Sequence, residues 1–269
     1  MQLRIVTQNI WGLNTPHHYW RRRGIHRGAL PGSPALQVAD PADVWRQRRS
    51  LLVTELARID PDLVAFQESF CKSDTSSSQA LEIARALGTS GNGYHTVDGL
   101  GGLAVLTRFP PLRVREHPLD VDSYGGHPGL LEVTISTSAG EVTVIVAHWP
   151  VGSQEAKVLC AAQTHQICRG LSTQRLVLCG DFNADSDSPP ICRLLADGWL
   201  TDTWQPSSQV PNKPLTTPLP SPSMRLDYIF TAPCDTFILE EATIFGETPD
   251  SNGLFPSDHC GISSLLSFI

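Results

Sequence analysis

A chain of 269 residues, 41% hydrophobic and 17% charged, can bury one large core and is neither a disordered tail nor a fibrous repeat. Its formal net charge of −7 argues against a non-specific nucleic-acid binder, which needs Lys and Arg to meet phosphates. The first residues read as no apolar leader, so no signal peptide is expected, and there is no run long enough to span a bilayer. The seven cysteines form no C-x-x-C pair, which disfavours a disulfide framework or a Cys-rich zinc site. The expectation is a cytoplasmic protein with reduced thiols, a monomer, and a single domain over residues 1–269.

Taken in order, Leu3–Ile10 is the first apolar run of strand length. Thr15–Asp43 fits no regular element and carries Arg21, Arg22, Arg23 and Arg27. It is expected to be a basic loop, either solvated or reaching over an anionic substrate. Trp45, Leu52, Leu56 and Ile59 recur at helical spacing, which predicts a helix over Val44–Ile59 with Asp43 as its N-cap. A strand at Leu63–Gln67 and a helix at Gln79–Leu87, stopped by Gly88, follow. Strands are then expected at Gly102–Thr107, Leu130–Thr137 and Val142–His148. The β-branched run Val142–Val146 suggests a strand covered on both faces. A helix over Ser153–Arg169 stops at Gly170, a strand covers Leu176–Gly180, and a helix covers Pro189–Asp197. Gln205–Ser223 holds six prolines, which forbid a helix or a central strand, so it is an irregular loop. Strands at Leu226–Phe230 and Gly261–Phe268 close the chain. Sheets alternating with helices, with an antiparallel middle, suggest mixed sheets packed together with helices outside.

The informative pattern is what ends these strands. The first leads to Asn9, the second to Glu68, Val142–Ala147 to His148, and Leu176–Gly180 to Asp181 and Asn183. Asp227 lies inside an apolar strand, and Asp258-His259 precede the last one. A carboxylate in an apolar strand has a desolvation cost and needs a partner. A single one could be a satisfied core acid. Six such positions on separate strands are better explained by one cleft at rigid strand ends. Carboxylate and amide oxygens without cysteine suit a hard cation, magnesium or manganese, and the histidines suit a phosphate. Neither His17-His18 nor His148 has zinc-site spacing.

In these motifs the sequence resembles the endonuclease/exonuclease/phosphatase superfamily, which has the fold of pancreatic deoxyribonuclease. The matching stretches are Thr7–Gly12, Asp62–Glu68, Gly180–Asn183, Arg225–Tyr228 and Pro256–His259, in the family's order across nearly the whole chain. The resemblance implies a four-layer α/β/β/α sandwich of two mainly antiparallel mixed sheets with helices on both outer faces. It also implies hydrolysis of a phosphoester by a metal-assisted water. Carried over, Glu68 would be the main metal ligand, with Asn9 beside it and Asp258 joining. Asp181 would orient or deprotonate the water, and Asn183 would hold that water or a phosphate oxygen. His259 would touch the phosphate, Asp227 would fix its tautomer, and His148 would also face the phosphate.

Two departures stand out. Trp11 occupies a position where many members carry an acid, and Gly125–Gly129 replaces an arginine, with His127 the candidate substitute. The expected function is a magnesium- or manganese-dependent phosphodiesterase acting on a nuclease-like, small or lipid-headgroup phosphodiester. The alternatives are an inositol-phosphate or small-molecule phosphomonoesterase, and a binding or toxin-like subunit in which catalysis is lost.

Overall fold

The computed structural model describes residues 1–12, 41–70, 77–88, 93–121, 128–204, 214–233 and 235–269. Most of the basic loop, His127, and part of the proline-rich loop lie outside them. The described strands form two six-stranded sheets. The first contains β1 (Gln2–Asn9), β2 (Leu63–Gln67), β3 (His95–Asp98), β4 (Ala104–Thr107), β11 (Phe237–Phe245) and β12 (Gly261–Phe268), in the order β11-β12-β1-β2-β4-β3. The second contains β5 (Pro111–Pro118), β6 (Gly129–Thr137), β7 (Gly140–His148), β8 (Leu176–Asp181), β9 (Thr201–Asp202) and β10 (Asp227–Ala232), in the order β5-β6-β7-β8-β10-β9. Each sheet has one parallel pair, β1–β2 and β7–β8, among antiparallel neighbours.

Alternation along the strands builds the layers. Leu3 and Ile5, Leu63 and Ala65, Val144 and Val146, Val177 and Cys179, and Ile229 share one core between the sheets. Their neighbours in sequence face outward. Val6, Val64 and Phe66 pack on α1 (Pro41–Ile59) and α2 (Gln79–Gly88) through Trp45, Leu52, Leu56 and Ile83. Ile145, Leu178, Tyr228 and Phe230 pack on α3 (Gln154–Gly170) and α4 (Pro189–Leu194) through Cys160, Cys168, Ile191 and Leu194. Each fully buried side chain of this size contributes roughly 1.5–3 kcal/mol. The four-layer sandwich is thus the arrangement that lets both faces of both sheets be covered. No helix among the described residues is long and apolar enough to cross a membrane.

Several boundaries differ from the sequence expectation. α1 begins at Pro41, so Asp43 sits in its first turn, pairing with Arg46 at 2.9 Å, instead of capping it. Its charge still favours that end of the helix dipole. α3 is capped by Ser153, whose hydroxyl accepts from the Ala156 N–H at 3.2 Å. α4 ends at Leu194 rather than Asp197, because the Asp197 carboxylate is drawn off to Arg169, His165 and the Trp199 N–H. β4 starts at Ala104, since Leu100–Gly102 forms a short 3-10 turn. β10 runs over Asp227–Ala232. The expected strand covered on both faces, β7, is buried from Val142 to Ala147.

Candidate active site

The same alternation that faces Ile5, Val146, Cys179 and Ile229 into the gap between the sheets carries on to Asn9, His148, Asp181 and Asp227. These four lie two or four residues along from inward-facing apolar positions, at one end of the sandwich. Register completes the placement. His148 pairs with Asp181 across β7–β8, and Asp181 with Asp227 across β8–β10. Close approach of β7 and β8 there depends on Gly180. With φ +142°, a Cβ at Gly180 would lie 2.0 Å from the Ala147 carbonyl oxygen.

Asp181, buried to 1% exposure, is the hub. Its Oδ2 accepts from Asn9 Nδ2 at 3.0 Å and lies 3.7 Å from His148 Nε2 and 4.0 Å from His259 Nε2. Its Oδ1 accepts from the Asn183 N–H at 2.8 Å. Asn9 Nδ2 also donates to Glu68 Oε1 at 3.1 Å, while Asn9 Oδ1 accepts from the Trp11 N–H at 2.9 Å. The Asn9 amide therefore turns its nitrogen, not its oxygen, to the carboxylates. Asp227, fully buried, holds His259 Nδ1 at 2.8 Å through Oδ2. All eight residues singled out from the sequence lie at this end of the sandwich.

Burial alone would lower the His259 pKa, but the charge and hydrogen bond of Asp227, joined by Asp258 and Asp181, raise it well above 6.5. Burial also raises Asp227, with Asp181 adding and His259 opposing. The partly exposed Asp258 is pushed up to about 6, by lost solvation first, with Glu68 raising it and His259 and Arg48 opposing.

Three of the four non-glycine residues with positive φ among those described belong to these motifs. They are Trp11 at +50°, Glu68 at +58° and Asn183 at +47°. Such conformations cost on the order of 1–3 kcal/mol each and persist only where surroundings impose them. Here the imposing bonds are visible. The Asn183 N–H is held by Asp181, and Asn183 Nδ2 donates to the Trp149 carbonyl at 2.9 Å. The Ser69 N–H, next to Glu68, donates to the Gly102 carbonyl at 2.8 Å.

Sequence reasoning missed several residues that hold this arrangement. Ser257 Oγ donates to the Asn9 carbonyl at 2.6 Å and receives the His259 N–H at 3.3 Å. Gln8 Nε2 donates to the carbonyls of Asn9 and His259. Arg48 of α1 is only 3% exposed. It donates to the carbonyls of Pro256 and Trp11, each at 3.1 Å, and to that of Ile10. Its guanidinium lies over the Trp11 ring at 4.9 Å, so Trp11 packs on a buried cation at the position where the resemblance led to an acid being expected. Behind the Asp181–Asn183 turn, Phe182 packs edge-on against Trp149, Tyr228 and Phe230. Arg225 pairs with Asp202 through two bonds of 2.7 and 2.8 Å and steadies the entry to Asp227.

Two groupings could hold an ion. The oxygens of Glu68 and Asp258, beside Asn9, form a hard donor set without a thiolate. Burial raises the Asp258 pKa first and the Glu68 charge adds to it, and a divalent cation held between the two carboxylates would relieve both. Asp181, Asp227 and His259 also have ligand atoms within 4.8 Å of one another. Asp227 Oδ2 and His259 Nδ1 are already spent on each other. That trio is thus a hydrogen-bonded carboxylate–imidazole pair with a second carboxylate beside it.

A family model described as the Endonuclease/Exonuclease/phosphatase family matches residues 6–259. Among solved structures, an endonuclease/exonuclease/phosphatase family protein from Bacteroides thetaiotaomicron is similar with a TM-score of 0.74 and 20% identity, over 100% of this chain and 98% of that one. D. rerio TDP2 complexed with single strand DNA product aligns with a TM-score of 0.70 and 15% identity, over 99% of each chain. The human Nocturnin catalytic domain with bound sulfate anion aligns with a TM-score of 0.67 and 18% identity, over 100% of this chain and 95% of that one. At these identities the likeness shows the fold alone. No curated protein matches the chain by sequence.

Proposed function

Because the chain belongs to the endonuclease/exonuclease/phosphatase family, we propose that it is a divalent-metal-dependent phosphodiesterase that works by in-line attack of water on phosphorus. The observation that carries this reading is Asp181. One buried carboxylate faces Asn9, His148 and His259 and ties down the Asn183 turn, which supports a base, imidazoles and oxygen donors acting on one phosphate.

In this proposal Glu68 and Asp258 would hold magnesium or manganese, and Asn9 orients the Glu68 carboxylate through its Nδ2. Bound there, the ion supplies Lewis-acid neutralisation of a phosphate oxygen. Asp181 takes the proton of the attacking water as its oxygen bonds to phosphorus. The opposite P–O ester bond breaks, and the leaving oxygen departs as an alcohol or phenol protonated from solvent. The Asn183 amide holds the attacking water or a phosphate oxygen. His259, kept protonated by Asp227, donates to a phosphate oxygen as charge builds in the transition state. His148, partly exposed and near the same Asp181 oxygen as His259, approaches the same phosphate. Positioning and electrostatics do most of the work in such reactions.

The substrate we propose is a phosphodiester with an apolar or aromatic substituent, not a long polyanion. Phe70, two residues beyond Glu68, remains 36% exposed although its ring is gripped between Gly12 and Gly102, where a Cβ would come within 2.7 and 2.8 Å of it. Val151 beyond His148, and Leu215 and Met224 near Asp227, are exposed as well. The net charge of −7 agrees with a small substrate. The unpaired, buried thiols of Cys160, Cys168, Cys179 and Cys260 support a cytoplasmic setting. A panel of bis-aryl and mono-aryl phosphates, single-stranded DNA, RNA, inositol phosphates and sphingomyelin, each run across a salt series, tests this. A bis-aryl phosphate turned over with little salt dependence supports it. Steep salt dependence on polynucleotide alone, or preference for the mono-aryl ester, replaces it with a nuclease or a phosphomonoesterase.

A further inference from the structure

Asn183 is held at three points. Its N–H is bonded to Asp181 Oδ1 and its side-chain nitrogen to the Trp149 carbonyl. Its own carbonyl accepts from Nζ of Lys157. Lys157 lies near the N-terminus of α3, the helix that Ser153 caps a few residues after β7 has delivered His148. The Lys157 ammonium is partly buried, which lowers its pKa, and the nearby Asp181 charge opposes that. Of the cations that touch the site's backbone among the described residues, Arg48 spends its donors on three carbonyls beneath the cleft. Lys157 instead bonds the carbonyl of a proposed site residue, and an ammonium has three N–H groups, of which Asn183 takes one.

The geometry of Asn183 makes this contact consequential. Its left-handed φ of +47° is a conformation that surroundings must impose, and the direction of its side chain follows from that turn. Loss of the Lys157 bond leaves the carbonyl side of the turn free to rotate towards an ordinary conformation. The Asn183 amide then swings away from Trp149 and from whatever oxygen it holds. We propose that Lys157 is a positioning residue of the phosphoester site: its ammonium fixes the Asn183 turn and thereby the place of the attacking water or phosphate oxygen. This rests on the function proposed above, since it presumes that Asn183 faces the reacting group.

The test uses Lys157→Met, Lys157→Arg and Asn183→Ala in the full chain, with magnesium and a bis-aryl phosphate. A displacement of about 1 Å in a reacting group can cost roughly 100-fold in rate. Lys157→Met is therefore expected to lower kcat by roughly 10- to 100-fold, with KM and Tm close to the parent, and Lys157→Arg to restore most of it. In an Asn183→Ala background the Lys157→Met loss should largely vanish, because one residue acts through the other. In the metal-free protein, the 15N side-chain amide resonance of Asn183 should shift or broaden in Lys157→Met and return in Lys157→Arg. An unchanged kcat, a rise in KM alone, or an equal loss in the Asn183→Ala background overturns the proposal. So does an unmoved Asn183 amide resonance. If the parent protein hydrolyses no phosphoester with any divalent metal, the functional reading falls and this proposal with it. A moved amide with an inactive parent separates that failure from a failure of the Lys157 contact itself.

Discussion

Replacing Arg48 by methionine keeps most of the side-chain volume and removes a guanidinium that is 3% exposed. Three carbonyls, of Ile10, Trp11 and Pro256, lose their donor. An unsatisfied buried acceptor costs about 1–3 kcal/mol, so three amount to roughly 3–9 kcal/mol. Against this, burial already lowers the Arg48 pKa from 12.5 to about 10. At 1.36 kcal/mol per pKa unit, relief of that penalty returns about 3 kcal/mol. The net expectation is a loss of about 3 kcal/mol, read as a lower urea midpoint and, for a domain of this size, a Tm lower by about 6–12 °C. The loss has a pH sign. Asp258 has its pKa raised to about 6, so it is ionised and attracts Arg48 above that value and is neutral below it. Arg48→Met should thus cost more at pH 8 than at pH 5. A loss under about 1 kcal/mol at both pH values would refute Arg48 as the buried tie between the segments that carry Asn9 and Asp258.

Two further variants follow from the same geometry. In Asp227→Asn, His259 loses a charge-assisted bond worth about 1.5–3 kcal/mol, so kcat should fall by roughly 10- to 150-fold. The His259 folded pKa is raised, so its contribution to stability is complete below the unfolded value of 6.5 and is lost as pH rises through the folded one. The decline of Tm above pH 6.5 should therefore flatten in Asp227→Asn, and an identical pH dependence would contradict the pairing. Gly180→Ala places a Cβ against the Ala147 carbonyl and should lower Tm by about 6 °C or more, measured by calorimetry. A change of no more than about 2 °C would show that β7 and β8 do not need the glycine there.

The central strands and the polar residues at their ends were legible because burial on both faces leaves long apolar runs, and because side chains alternate with period two. The four strands that no apolar run announced, β3, β5, β9 and β11, are the four sheet edges. β5, with Arg113, Arg115 and His117 between two prolines, has the composition of a blunted edge, which hides it from a search for hydrophobic runs. Arg48 carried a signal that went unused. It stands on the apolar stripe with Trp45, Leu52 and Leu56, and a charge on a buried stripe needs partners. Lys157 carried none, since nothing in an amphipathic helix foretells a bond to a carbonyl twenty-six residues along the chain. The amide orientation of Asn9 was equally unreadable, because it is set by the Trp11 N–H.

The most direct measurement takes purified protein stripped of metal with EDTA and follows bis(4-nitrophenyl) phosphate hydrolysis as magnesium, manganese, calcium or zinc is restored. An Asp181→Asn protein is run alongside. Turnover that returns with magnesium or manganese and stays absent in Asp181→Asn is the predicted result. Turnover that survives EDTA, or an Asp181→Asn protein as active as its parent, would contradict the account.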